Sequence, residues 1–597
     1  MKNYKYSKNE YIATKKIQEL KKKLKHKHGV RWHRHDDGGQ AFDLVTALTR
    51  EITASTILTD KTILKYLKDV ALNKNIKIEA LIKEYSIKKG YQVNLIDVYQ
   101  NIFKHYWPDY EIFSDFIDNW SEMFTYKLTP YRSSGLMSGT NIENKYFLKS
   151  FFENMGLQDV NIDNIVIKPG GFKSIYAGIL LALTTTGVGE DRVITNNNLL
   201  MRVPFYASII KFPAVINTNV FTTSDFSIQN LKKIINDNNI GCIYYSVVGN
   251  PDGKILKKEE LVDFCQLIIE ENKLIFEQNS KILGKTFETI DDYLTAIDNY
   301  NAENTNTLTS FIWVISDEVY MKSNYHKDMP TISTASIGFN QKSENIIDKE
   351  LSNMYTYTIT CVSPSKTFGY ATSRIGICTT KLNYIIKKMN TAYKELLIRE
   401  VNPIAEVSSI VQLCLTNDEQ IKKYNMLYEE NIRHVKLMID TINTEMKHIR
   451  ITTSNPDGGW FCTINIDISK LKKYFKSSLD LSVYFMAYAN FYGGTGTIMN
   501  PGLIYGYESE CDDNNIFSLR ITVSKSDSDI DRFITDIGSA CSKLDLLCGI
   551  ITGDIMKVNS DYLTDYHFTN ELLNQYFDNQ ITLKELAEKE LVNILNN

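Results

Sequence analysis

The sequence predicts an α/β protein: a large domain with a mostly parallel central sheet flanked by helices, a smaller α+β C-terminal domain, and a helical N-terminal extension. Three observations carry this. With 597 residues the chain is too long for a single hydrophobic core. Phe311 to Tyr320, FIWVISDEVY, is an apolar run ending in an acid pair, the pattern of a strand buried on both faces of a parallel sheet. From Thr358 to Cys378, TITCVSPSKTFGYATSRIGIC gives an apolar strand, a polar turn and a second apolar run, and after it the pattern changes to long helices.

Composition narrows the class. A net charge of −4 offers no footing for nucleic acid or another polyanion. No run approaches the ~20 apolar residues of a membrane span. The N-terminal MKNYKYSKNEYIATKK is charged and lacks the apolar core of a signal peptide. Nine cysteines, an odd number with no CxxC pair, favour reduced thiols and a cytoplasmic setting over a disulfide framework.

In chain order, residues 1 to about 130 are mostly helical in pattern. Ile17, Leu20 and Leu24 share one face of KKIQELKKKLKHKH, whose basic run reads as a solvated helix face. His33, His35, Asp36 and Asp37 have ligand-type side chains, but they crowd one short stretch with no second cluster, so no metal site is expected. LTPYRSSGL, with Tyr131, precedes the helical NIENKYFLKSFFENMGL. A strand at Ile165 to Ile167 passes through Pro169, Gly170 and Gly171 into an apolar helix. Free amides at a helix N-terminus reached through glycines form a phosphate cradle.

MRVPFYASII sets Tyr206 in a loop after proline. GCIYYSVVGNPDGKILKKEEL reads as a buried strand, a tight turn at Asn250 and a helix starting near Lys257. The polar, partly helical stretch near 279–310 reads as a surface insertion. Acids such as Asp317, at the carboxyl end of a buried strand, sit where ligands of open α/β sheets bind. In the next turn Ser363 and Ser365 flank Lys366, and Arg374 follows eight residues on. A lysine among small residues behind a buried strand suits an amine kept dry and near its neutral form. The serines and Arg374 offer donors and one fixed positive charge, which suits a phosphate. Near the C-terminus, GGWFCTINIDI is an alternating strand, Gly493–Gly496 opens a glycine-rich loop, and Arg520 lies in a strand that leads into a helix.

Asp317, Tyr320, Ser363, Lys366 and Arg374 reproduce an Asp-x-x-Tyr motif followed by Ser-x-x-Lys and an arginine eight residues later. In this the chain resembles the pyridoxal-phosphate-dependent aminotransferase class I/II family, of fold type I and aspartate-aminotransferase-like, over roughly residues 130 to 550. The resemblance implies pyridoxal 5'-phosphate as cofactor, carried on Lys366 as a Schiff base, with Lys366 also the acid and base at the substrate α-carbon. It implies that Asp317 pairs with the pyridine nitrogen, that Tyr320 and Asn250 bond the ring oxygen, and that Tyr206 stacks on the ring. Gly170, Gly171 and Phe172, with Ser363, Ser365 and Arg374, would hold the phosphate. Arg520 would fork the substrate carboxylate, and Tyr131 would reach the site from a neighbouring subunit. One departure stands out: the family's Asn-Pro-x-Asn-Pro-x-Gly is reduced here to VVGNPDG.

The expected organisation is a helical extension at 1–130, a cofactor-binding large domain at 131–385, a linking helix with a small domain at 386–550, and a helical tail at 551–597. By resemblance the activity is an aminotransferase moving an amino group from an amino acid to a 2-oxo acid, in a homodimer with no nucleic-acid or membrane partner. The same residues serve a β- or γ-eliminating lyase, a decarboxylase or a cyclase. A non-enzymatic pyridoxal-phosphate-binding regulator is a third reading, although the N-terminal region shows no hairpin-and-recognition-helix pattern.

Overall fold

A computed structural model describes residues 32–34, 142–169, 172–184, 192–196, 214–218, 226–238, 240–304, 308–326, 331–339, 342–366, 374–396, 398, 401, 405–406, 409–410, 413, 418–492, 496–502, 515–525 and 527–596. Tyr131, Gly170, Gly171, Tyr206 and most of the 1–130 extension lie outside the described residues.

Besides β1 (Trp32–Arg34), the first strands are β2 (Ile165–Pro169), β3 (Arg192–Asn196), β4 (Ala214–Thr218), β5 (Ile240–Ser246), β6 (Trp313–Asp317), β7 (Thr358–Val362) and β8 (Ile375–Thr379). β2 to β8 form a seven-stranded sheet in the order β2-β8-β7-β6-β5-β3-β4. The pairs from β4 through β7 are parallel, while β8 runs antiparallel to both β7 and β2. Every residue of β5, β7 and β8 is buried, which explains their apolar sequences. Register sets Ser246, Asp317 and Cys361 side by side, so the carboxyl ends of β5, β6 and β7 finish at one level.

Helices cover this sheet: α1 (Ile142–Asn154), α2 (Phe172–Thr184), α3 (Ile228–Asn238), α4 (Lys258–Leu283), α5 (Ile290–Glu303) and α6 (Asn383–Glu395). α2 packs on α6, and Gly178 leaves the space that the Tyr393 ring fills; a Cβ there would lie 2.0 Å from the ring. α4 is capped at its start by Glu260, which accepts from the Lys257 amide at 2.8 Å, and it ends at Gly284 with φ 63°. Within α4, the wholly buried Asn272 mimics a strand partner for the approach to β6. Its Nδ2 donates to the Ile312 carbonyl at 3.0 Å, and its Oδ1 accepts the Ile312 amide at 2.7 Å.

The stretch read as a surface insertion behaves differently. α5 buries Ile290, Tyr293, Leu294 and Ile297 completely in the large-domain core. Those positions repeat at i, i+3, i+4 and i+7, so a polar stretch still presents one apolar face.

The smaller sheet contains β9 (Arg450–Thr453), β10 (Phe461–Asp467), β12 (Asn500–Pro501) and β13 (Ile516–Thr522), ordered β12-β13-β10-β9 and antiparallel throughout. It shares a core with α7 (Asp418–Glu445), α8 (Ser478–Tyr492), α9 (Asp527–Thr552), α10 (Ser560–Asp565), α11 (Asn570–Phe577) and α12 (Leu583–Asn596). The segments beyond 551 are helical as the sequence suggests, and they contribute Leu563, Leu572, Leu573, Leu586, Leu591 and Ile594 to that core. The glycine-rich stretch supplies β11 (Gly496–Ile498), which pairs in parallel with β1. Among the described residues, no helix is long and apolar enough to cross a membrane and no group of three or more metal-ligating side chains occurs.

Candidate active site

Asp317 is the last residue of β6, and its side chain keeps part of its surface accessible. Tyr244 on β5 donates to Asp317 Oδ2 at 2.6 Å, and the Val319 amide donates to Oδ1 at 3.3 Å. Burial pushes the Asp317 carboxyl above its ordinary range. The Tyr244 phenol, the Val319 amide, the Tyr176 hydroxyl and the charge of Lys366 all pull it back down. The next residue, Glu318, faces the core instead. Its Oε1 accepts from Ser316 Oγ at 2.8 Å, Ser333 Oγ at 2.9 Å and the Thr334 amide at 3.3 Å.

Lys366 lies in the turn after β7, the strand adjacent to β6, and it is half-buried. Its Nζ lies 5.7 Å from the centroid of the Trp460 ring. The turn is held by Ser363, whose hydroxyl donates to the Ile375 carbonyl on β8 at 2.7 Å and accepts from the Ser365 amide at 3.1 Å. Ser365 Oγ lies 2.8 Å from Ser363 Oγ, and both serines are buried. Arg374 sits at the entry to β8 with its side chain exposed and φ 52°.

Tyr320 is buried between the two domains, edge-on to Trp460 at 6.1 Å and to Phe461 at 5.8 Å. Asn250 lies in the turn after β5, and across the domain boundary Arg520 Nη1 donates to Asn250 Oδ1 at 3.0 Å. The Arg520 guanidinium lies 3.9 Å above the Phe461 ring, with the residue itself buried. Backbone bonds close this seam: the Asp457 and Gly458 amides donate to the Gly253 carbonyl at 2.8 and 3.0 Å, and the Gly459 amide donates to the Ser323 carbonyl at 2.6 Å.

The structure therefore gathers Asp317, Tyr320, Asn250, Ser363, Ser365, Lys366 and Arg520 at the carboxyl edge of the large sheet, where the small domain meets it. The backbone of Phe172 opens α2. Three contributors escaped the sequence reading. Trp460 and Phe461 stand at the small-domain side, and GGWF ahead of an alternating strand was their one local signal. Tyr244 was hidden inside an apolar strand. Because Ser246 pairs with Asp317, Tyr244 stands two residues back on the same face, within diagonal reach of the acid.

Residues 302–537 match the family model described as aminotransferase class I and II. That match, which spans less than half of the chain, makes this region similar to that family. Aminotransferases of class I and II are pyridoxal-phosphate-dependent transferases, and the donor set here fits that cofactor. A carboxylate has about four lone-pair sites, so Asp317 can accept one further proton-bearing nitrogen beside its present donors, and a half-buried amine stands on the neighbouring strand's turn. Asn250 and the strands before β6 fall outside the matched region.

No curated protein matches the chain in sequence. Solved structures similar to it include the aspartate aminotransferase of Rhizobium meliloti, 16% identical, covering 71% of this chain and 86% of that one, with a TM-score of 0.49. The Thermus thermophilus aspartate aminotransferase with maleate is 15% identical over 67% of this chain and 81% of that one, with a TM-score of 0.45. An aminotransferase from Escherichia coli is 15% identical over 70% and 84%, with a TM-score of 0.47.

Proposed function

We propose that this protein is a class I/II aminotransferase that moves an amino group between an amino acid and a 2-oxo acid. The observation that carries the reading is Asp317 at the end of β6 with Lys366 in the turn after the adjacent β7, beside the seam where Asn250 and Arg520 meet. Pyridoxal phosphate, when bound, supplies an electron sink for the negative charge that develops at the substrate α-carbon. Asp317 would accept the hydrogen of the pyridine nitrogen and so keep that nitrogen protonated. Lys366 would hold the cofactor covalently and, once a substrate amine has taken its place, its freed amine would take the proton from the α-carbon and return it as general acid.

Tyr320 and Asn250 would hydrogen-bond the ring oxygen, and Tyr206, which lies outside the described residues, would stack on the ring. Gly170, Gly171 and Phe172, with Ser363, Ser365 and Arg374, would bind the phosphate. Arg520 forks the substrate α-carboxylate with its planar donors. Its stacking on Phe461 and its bond to Asn250 support that role, because both hold the guanidinium still before a carboxylate arrives. The active unit is a homodimer to which Tyr131 adds from the second subunit, working in the cytoplasm.

The test is covalent capture at Lys366. Protein loaded with pyridoxal phosphate and treated with borohydride should carry the cofactor's mass on the peptide containing Lys366. In Lys366→Ala that label should vanish, and transamination of single amino acids should fall at least about a thousandfold. Label on another lysine in Lys366→Ala, or transamination that survives, contradicts the reading.

A further inference from the structure

We propose that Tyr244, backed by Tyr176, is a positioning residue for the cofactor-facing carboxylate of Asp317. The inference rests on the reading that Asp317 meets the pyridine nitrogen. Three aligned groups support it. Tyr244 Oη donates to Asp317 Oδ2 at 2.6 Å, and the Tyr176 hydroxyl stands 3.5 Å behind Tyr244 Oη. The phenol of Tyr244 has one hydrogen, which goes to Asp317, and the Tyr176 hydroxyl is itself among the groups that pull the Asp317 carboxyl down. The two rings meet edge to face at 5.3 Å, and both are buried in the large-domain core. Neither ring can swing away without opening a cavity, and the donor direction is fixed by packing.

The chemistry needs this. A carboxylate at a sheet edge can rotate about its Cβ–Cγ bond and present either oxygen to a ligand. With Oδ2 held by Tyr244, one orientation is set, and Oδ1, which takes the long Val319 amide bond, is turned to a fixed direction. The charge state follows as well. Burial, and then the charge of Asp317, push the Tyr244 phenol far above its ordinary value, so it stays a donor while the carboxyl titrates. The ionisable groups around the acid are Tyr244, Tyr176, Lys366, the Cys361 thiol on β7 and Glu318. Of these only the tyrosines and Lys366 favour the anion. The short bond from Tyr244 to the Asp317 carboxylate is charge-assisted, and burial of both tyrosines puts it in a low dielectric.

Pyridoxamine 5'-phosphate is the probe that isolates this contact. It keeps the ring nitrogen and phosphate but has no aldehyde to react with Lys366, so its affinity reads the acid rather than the covalent link. Full-length protein titrated with it over a pH series should lose affinity on the acid side as Asp317 gains a proton. Loss of the Tyr244 donor should raise that midpoint in Tyr244→Phe by about one pH unit, a tenfold weakening at fixed pH below it. Tyr176→Phe should shift it upward by less. A merely structural role would weaken binding equally at every pH and leave the midpoint in place, which overturns the proposal.

Should Tyr244→Phe fail to fold, Tyr176→Phe decides alone, and an unshifted midpoint there counts against the relay. Asp317→Asn separates the two readings. Wild-type protein that ignores pyridoxamine phosphate, or whose acid-side loss survives in Asp317→Asn, refutes Asp317 as the nitrogen partner and the Tyr244 role with it. Wild-type behaviour as expected, with an unmoved Tyr244→Phe midpoint, refutes the Tyr244 role alone.

Discussion

Glu318 follows Asp317 directly, yet the two acids serve opposite faces of one strand. Alternation along β6 turns Ser316 to the core and Asp317 to the site, and Glu318 joins Ser316, Ser333 and Thr334 on the core side. Burial pushes the Glu318 carboxyl up to about 7 from an ordinary 4.5. A folded value above the unfolded one means the fold holds a proton that the unfolded chain gives up between those two values. This contribution to stability is complete below about pH 4.5 and is lost as the pH rises through about 7. Glu318→Gln removes the titration, so the fall in unfolding free energy across that window should shrink by about 3 kcal/mol. Denaturant melts of both proteins over a pH series measure it; parallel curves would show that Glu318 does not titrate there.

The pair also shows what was legible at this scale. Asp317, Tyr320, Ser363, Lys366 and Arg374 could be read because each motif lies within a few residues of chain. Tyr244 and Trp460 could not, because they reach the site through strand register and domain packing. Arg520 was readable from its strand, but its partner Asn250 lies 270 positions away.

At the scale of elements, the site depends on three turns that meet between the domains: 249–255 after β5, 320–325 after β6, and 456–459 before β10. Gly253 adopts φ 69°, and a Cβ there would stand 2.5 Å from the Gly458 carbonyl oxygen. At Gly458 a Cβ would stand 2.1 Å from the Ser323 carbonyl oxygen, backbone against backbone with no side chain free to give way. Asp457 adds side-chain ties, accepting the Ile255 amide at 3.2 Å and lying 3.8 Å from Lys254 Nζ. Gly458→Ala should therefore destabilise the protein by about 1–3 kcal/mol. It should also move the Asn250 turn relative to Arg520, raising KM for the amino acid more than it lowers kcat. Calorimetry with steady-state kinetics checks both, and an unchanged melting temperature with unchanged KM would show that the seam accommodates a methyl group. β2, β5 to β8, β10, β13, the turn at Asn250 and several of the long helices were legible from apolar runs and turn residues, whereas β3, β4 and β9 were not singled out. The apolar face of α5 was masked by polar composition although its i, i+3, i+4, i+7 spacing was present.

At the scale of the whole molecule, the small domain is incomplete without the C-terminal helices. Lys543 on α9 and Glu590 on α12 are both wholly buried, with Nζ and Oε1 3.1 Å apart. Lys543 also donates to the Tyr566 carbonyl at 2.7 Å and lies 3.6 Å from the Phe568 ring centroid. Glu590 Oε2 accepts from the Thr569 hydroxyl at 2.6 Å and the Thr569 amide at 3.1 Å. Burial pulls the Lys543 ammonium down to about 8, while the charge of Glu590 holds it up. A pair this dry adds little net stability, since its attraction mainly offsets desolvation, but losing one member leaves a charge stranded in the core. Glu590→Ala should therefore cost about 3–5 kcal/mol, enough to loosen the β10–β13 sheet that carries Arg520. The double replacement Lys543→Met with Glu590→Leu should recover most of that loss, because two apolar side chains can fill the site without a charge to solvate. Equilibrium unfolding of the wild type, Glu590→Ala, Lys543→Met, Glu590→Leu and the double variant decides it. A Glu590→Ala protein within about 1 kcal/mol of wild type would mean that the pair is solvated in solution, and that the tail is held to the small domain by its leucines alone.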